Sequence, residues 1–156
     1  MSIRLSEAEA WQVLTDAHTG IFTSLRSDGV PISLPVWFVA FDERIYLASP
    51  TRRKKVARVR HDARASFLVE SGLRWAELLG VHLTGRARVV TEPELVERVR
   101  DALHAKYDAY RSQRAAMPDA TRAVYEADAT TIEIVPDERI LSWDNARIPI
   151  GDVEEQ

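Results

Sequence analysis

Six of the nine residues from Arg52 to Arg60 are basic, in a chain whose formal net charge is −3. The run follows a segment with strand character, Arg44 to Ser49, through a short Pro-Thr connection. A strand that leads into a helix start rich in Lys and Arg is suited to holding a phosphate. Amides of the first helical turn and the positive end of the helix dipole already favour an anion there, and the side chains add charge. Anion binding is therefore the chemistry this sequence advertises most clearly.

The 156 residues suffice for one domain with its own apolar core. We read a single domain over residues 1–146 and a polar tail over 147–156. The chain is 46% hydrophobic and 29% charged, as ordinary globular proteins are. It has no Cys, which excludes disulfides, thiol nucleophiles and thiolate metal sites. No apolar run has the length of a membrane span and the N-terminus lacks a signal-peptide core, so the expectation is a cytoplasmic protein. A pI near 5.8 argues against a general nucleic-acid binder. Of the 21 basic residues only Lys54, Lys55 and Lys106 are lysines, which makes the adjacent pair in the basic run more notable.

Ser6 and Glu9 fit a capping box, followed by an apolar helical face through Trp11 and Leu14 to about His18. Ile21–Leu25 reads as a strand and Ser27-Asp-Gly29 as a turn. Pro31–Phe41 reads as one second strand, irregular around Pro35, which points to an edge or a bulge. Arg44–Ser49 is the third strand. A helix is expected over Thr51–His61, with Val56 and Val59 inward. Two more strands are expected over Ala65–Glu70 and Leu79–Val90. Thr91 and Glu94 suggest a second capping box, opening a long helix whose apolar face runs through Leu95, Val99, Leu103 and Tyr107. A short helix from Pro118 to Ala127 and a last strand, Thr130–Val135, follow, with Ile140–Asp144 extending it beyond Pro136. Strands outnumber helices and are linked by short turns. The fold class is thus mostly β with flanking helices, an antiparallel sheet closed into a small barrel.

Self-sufficient catalytic signatures are missing: the chain has no GxxxxGK, GxGxxG, GxSxG or HExxH. The four histidines lie far apart, without metal-ligand spacing. No carboxylate pair stands out as acid and base. A bound cofactor would then have to supply the reaction.

Several pieces together carry a resemblance. Asp28-Gly-Val-Pro31, Leu34-Pro-Val-Trp-Phe38, Ile45-Tyr-Leu-Ala-Ser49, Lys54-Lys55 and Arg60-His-Asp-Ala-Arg64 occur in order. This succession resembles the pyridoxamine 5′-phosphate oxidase-like, flavin-binding split β-barrel family over roughly residues 8–145. Gly80 to Ala87 looks like the family's strand before the long helix. Ser142-Trp-Asp144 is similar to the C-terminal segment of its actinobacterial branch, many of whose enzymes use the deazaflavin F420.

The resemblance implies a six-stranded antiparallel split barrel that forms a homodimer, with FMN or F420 shared across the interface. Carried over by position, Pro35, Val36, Trp37 and Phe38 would run beside the ring of the cofactor. Ala48 and Ser49 would meet its phosphate, held by Lys54 and Lys55 with Arg53 beside them. Leu79 and Gly80 would come from the second subunit, and Trp75 and Trp143 would stand on the substrate or partner side. A strand's period of two sends one of Trp37 and Phe38 into the core and the other outward. The oligoglutamate tail of F420 would suit a basic groove of Arg52, Arg53 and Arg58. The function implied is an oxidoreductase moving hydride between F420 or FMN and a small organic substrate. The alternative is a carrier or sensor of flavin, F420 or haem without catalysis. Pyridoxamine phosphate oxidation itself is not expected, since the chain lacks an obvious counterpart to that enzyme's substrate-binding segment.

Overall fold

Ser6 starts the first helix as its sequence requires: its hydroxyl accepts from the Glu9 amide at 3.3 Å, and its own amide donates to the Glu9 carboxylate at 2.7 Å. The computed structural model describes residues 2–149. In it, α1 (Glu7–Asp16) precedes β1 (Gly20–Leu25), β2 (Pro31–Val36), β3 (Val39–Phe41) and β4 (Arg44–Pro50). Then come α2 (Lys54–His61), β5 (Arg64–Ser71), β6 (Leu79–Val89), α3 (Pro93–Tyr107), α4 (Asp119–Glu126) and β7 (Ala129–Asp144). Arg26 to Val30 turns β1 into β2, with Gly29 at φ +83°, a conformation that costs glycine little. The second expected capping box does not form: Pro93 opens α3 after Glu92, and no side chain caps it.

All strands form one antiparallel sheet in the order β2-β1-β5-β6-β7-β4-β3. Seven strands replace the expected six because Pro31–Phe41 is two strands, not one. Pro35 stays in regular pairing opposite Ile21, tolerated because β2 lies at an edge of the sheet. The break comes at Trp37-Phe38 instead. These two residues link the first strand of the order to the last. Three residue steps span at most about 11 Å, whereas the edges of a flat seven-stranded sheet lie about 29 Å apart. The sheet must therefore curl until its two edges approach each other at this crossover, and since no ladder pairs β2 with β3 the barrel is a split one. The last two expected strand pieces are one: β7 runs through Pro136, taking up the irregularity as a bulge opposite Leu83 to Gly85.

Alternation along the strands sends Phe22, Phe38, Phe67, Ile45, Leu47, Leu83, Ile132 and Ile134 inward, all at 1% exposure or less. Ala10 and Leu14 of α1 and Val56 and Val59 of α2 join the same interior cluster. On the outside, Val99, Leu103 and Tyr107 of α3 pack on Val39 and Tyr46. Glu133, buried on that outer face, accepts from Arg88 at 2.6 Å and lies 3.4 Å from Arg44. Burial, then this carboxylate, pushes the Tyr46 phenol up to about 12. By contrast α4 has no buried residue.

α3 locks the crossover that closes the barrel. The Tyr107 hydroxyl accepts from the Phe38 amide at 2.9 Å and lies 2.8 Å from the carbonyls of both His18 and Phe38. Lys106 Nζ donates to the carbonyls of Ala17 at 2.7 Å and Phe38 at 3.1 Å, and stands 4.2 Å above the Phe38 ring. One lysine and one tyrosine thus fasten the end of α1 to the crossover.

Tyr107→Phe leaves the Phe38 amide unpaired, and its unfolding free energy in urea is expected to fall by about 1–3 kcal/mol. Burial pulls Lys106 down to about 8 from the ordinary lysine value of 10.5, against Asp16, which raises it. Between those values the unfolded chain binds more protons, so this residue makes stability rise with pH across that window. The urea midpoint of wild type should gain on that of Lys106→Met between about pH 8 and about pH 10. A constant difference would contradict this account.

Candidate functional site

The turn Pro50–Arg53 is fastened before α2 begins. Thr51 donates to the Asp128 carbonyl from its amide, at 2.9 Å, and from its hydroxyl, at 2.8 Å, while Thr130 donates to the Thr51 hydroxyl at 2.9 Å. These bonds consume the donors of Thr51 and delay the helix to Lys54, three residues beyond the expected start. Arg53 is the N-cap and makes no side-chain bond, and the first turn holds no acidic residue. Cations at a helix N-terminus oppose the dipole. Here Arg52, Arg53, Lys54 and Lys55 crowd it. Among the described residues, none of the six basic side chains of the run forms an ion pair. Burial, then Arg58 and Arg53, holds the Lys55 ammonium below its usual range. The first turn of α2 is uncapped, cationic and uncompensated: an anion there would meet amide donors and relieve like-charge repulsion.

The basic residues do not share one groove. Arg52 and Arg53 line a hollow of about 650 Å³ whose far wall is Ala123, Val124 and Glu126 of α4. Lys54 and Arg58 line another, of about 640 Å³, against the β1–β2 hairpin. The expectation of a single groove of Arg52, Arg53 and Arg58 is corrected on this point, because Arg52 and Arg53 precede the helix while Arg58 sits a turn into it.

On β4, Ala48 is exposed and Ser49 is 2% exposed. Ser49 has the inward parity of Ile45 and Leu47, and its buried hydroxyl has no hydrogen-bond partner. Along the crossover, Pro35 is exposed and Val36 belongs to the core. Phe38 is the inward member of the aromatic pair, edge-on to Phe67 at 4.6 Å. Trp37 is the outward one. It stacks on Tyr107 at 4.5 Å with the rings 1° from parallel, and His18 stands edge-on to Trp37, Tyr107 and the exposed Tyr110.

Gly80 faces Trp143 across β6 and β7. A Cβ on Gly80 would sit 2.1 Å from the indole, so glycine is what lets this ring lie flat on the sheet. Trp75 is 61% exposed, and its carbonyl accepts from Asn145 Nδ2 at 2.7 Å. Leu73 and Leu141 are exposed apolar side chains as well. The Gly80–Trp143 pair and the Ser49–Thr130 pair lie at opposite ends of β7. Within one chain the structure thus brings Ala48, Ser49 and the α2 turn together, and separately Leu79, Gly80, Trp75 and Trp143.

Sequence reasoning passed over Lys106 and His18, and read Tyr107 only as part of an apolar stripe. The sole signal was rarity: Lys106 is the one lysine outside the basic run.

The sequence model of the family described as pyridoxamine 5′-phosphate oxidase matches residues 6–136. Among solved structures, the conserved hypothetical protein Rv2991 from Mycobacterium tuberculosis is 28% identical, with a TM-score of 0.78, over 99% of this chain and 95% of that one. A FAD-binding protein from Mesorhizobium loti is 22% identical, with a TM-score of 0.67, over 88% of this chain and 93% of that one. HutZ, the heme storage protein from Vibrio cholerae, shares the fold at 11% identity and a TM-score of 0.68, over 92% and 96% of the two chains. No curated protein matches in sequence. No described helix is long and apolar enough to cross a membrane. The barrel, the order of its strands and the span of the match agree: the chain belongs to the pyridoxamine 5′-phosphate oxidase family.

Proposed function

We propose that this protein is an oxidoreductase that binds a flavin-type cofactor, FMN or F420, by its phosphate end at the first turn of α2. The observation that carries this reading is the uncapped, unpaired cluster of Arg53, Lys54 and Lys55 at that turn. A phosphate suits it, being rich in acceptors and strongly charged. Exposed Ala48 belongs to the surface beside this turn, whereas the Ser49 hydroxyl, closed inside the barrel, contributes through its backbone position. Pro35 and the half-exposed Trp37 offer the flat apolar surface a fused ring needs.

The cofactor, when bound, supplies hydride chemistry, and this chain supplies binding, orientation and exclusion of water. Flavin binding is also what the M. loti relative is described as doing. We further propose a homodimer. Leu79, Gly80, Trp75 and Trp143 stand at the far end of β7 from the α2 turn, so they would reach a shared site from a second copy. The exposed Leu73, Trp75 and Leu141 are the apolar surface such a partner would cover. We place the protein in the cytoplasm, a reading supported by the absence of a membrane-crossing helix among the described residues.

Titration with FMN, FAD and F420, followed by visible absorbance and fluorescence, tests the assignment. Lys55→Ala is expected to weaken the cofactor that binds by about 1–3 kcal/mol. Unchanged affinity would remove Lys55 from the site, and failure of all three cofactors to bind would refute the function. Reoxidation of the bound, reduced cofactor by an organic acceptor distinguishes an enzyme from a carrier.

A further inference from the structure

One face of α2 extends beyond the phosphate site and shares only Lys54 with it. Lys54, Ala57, Arg58 and His61 follow the three- and four-residue spacing of a single helical stripe. Together with Leu25, Arg26, Ser27 and Ile32 of the β1–β2 hairpin they line the open groove of about 640 Å³. That volume lies within the range of small-molecule sites and is far larger than a simple anion needs.

Its composition divides into two parts. Leu25, Ile32 and Ala57 provide apolar surface. Arg58, Lys54 and His61 provide charge or hydrogen-bond donors, and no residue lining the groove is acidic. Asp28, the nearest carboxylate in the hairpin, is occupied by Arg26. Asp62, which follows the helix, is occupied by Arg64 at 2.8 Å. Neither Lys54 nor Arg58 forms an ion pair among the described residues.

Arg58 is also fixed in place. Its Nε donates at 2.9 Å to the hydroxyl of Ser24, an inward-facing residue of β1 at 1% exposure. A guanidinium anchored by Nε keeps its two terminal nitrogens for another acceptor, in a geometry that matches a carboxylate. A buried serine holding a half-buried, unpaired arginine over an apolar floor is a preformed binding arrangement.

We infer that this groove binds a small amphipathic carboxylate, its carboxyl group on Arg58 and Lys54 and its apolar body on Leu25, Ile32 and Ala57. The site goes beyond the cofactor reading and does not require it.

Titration of the isotope-labelled protein with sodium octanoate, followed by amide NMR signals, tests this, with inorganic phosphate as the comparison anion. Saturable shifts are expected in both walls, Leu25 to Ile32 and Lys54 to His61, with phosphate shifting the Leu25 to Ile32 wall only at higher concentration. Arg58→Ala should weaken octanoate about tenfold or more. Because that variant also strips Ser24 of its partner, Ala57→Glu, at an exposed helix position, serves as the second test and should abolish binding. Shifts confined to other parts of the barrel would overturn the inference. So would phosphate shifting the Leu25 to Ile32 wall at concentrations as low as octanoate does, or octanoate affinity unchanged in Ala57→Glu. Octanoate binding by protein that takes up none of FMN, FAD and F420 would support the groove while refuting the cofactor function.

Discussion

Two residues hold this architecture to its shape. Trp37 and Phe38 join strands at opposite edges of a seven-stranded sheet, and no flat or gently twisted sheet allows so short a link. Once the edges are brought together, an interior exists for Phe22, Phe67 and Leu83 to fill. Phe38 then becomes core and Trp37 surface. The bonds from Tyr107 and Lys106 to the Phe38 peptide satisfy polar groups that a tight crossover would otherwise bury without partners. Helix α3 is therefore a part of the closure, and its apolar stripe on Val39 and Tyr46 holds the clamp in register.

The strain in α2 has a different character. A helix eight residues long with cations at its positive end is poorly stabilised by its own sequence. It persists because Val56 and Val59 are buried in the barrel and because Thr51 ties the preceding turn to β7. The hydrophobic effect and a few hydrogen bonds outweigh the local repulsion, leaving the charges free to act on something outside the chain. Local rules broken in this way are expected where function demands it.

Most of the fold was legible in the sequence because its signals are short-ranged. The Ser6–Glu9 box, the Asp28-Gly29 turn and the stripe of α3 each depend on neighbours within a few residues. The split of Pro31–Phe41 was not legible, since the segment reads as continuous strand and only barrel closure decides that its halves pair with different partners. Pro35 drew attention to the wrong place: an edge strand accommodates proline, and the change of partner falls two residues later. The candidate phosphate turn was visible as charge, but Arg58 was grouped with Arg52 and Arg53 because linear proximity does not reveal which side of a helix a residue takes. The clamping role of Lys106 and Tyr107 was not legible because it consists of bonds to backbone atoms some 70 to 90 residues away, and no spacing in the sequence encodes that.

The beginning and end of the described chain are stitched together. The Asp144 amide donates to the Ile3 carbonyl at 2.8 Å, the Leu5 amide to the Ser142 hydroxyl at 3.1 Å, and Arg147 reaches Glu9 at 2.7 Å. Arg147, the first residue of the expected polar tail, is thus anchored; residues 150–156 of that tail lie outside the described residues. These bonds tie α1 to β7, and the same helix also packs on β3 and β6. Removing the far end of β7 would therefore strip the first helix of one of its three supports and leave the other two in place.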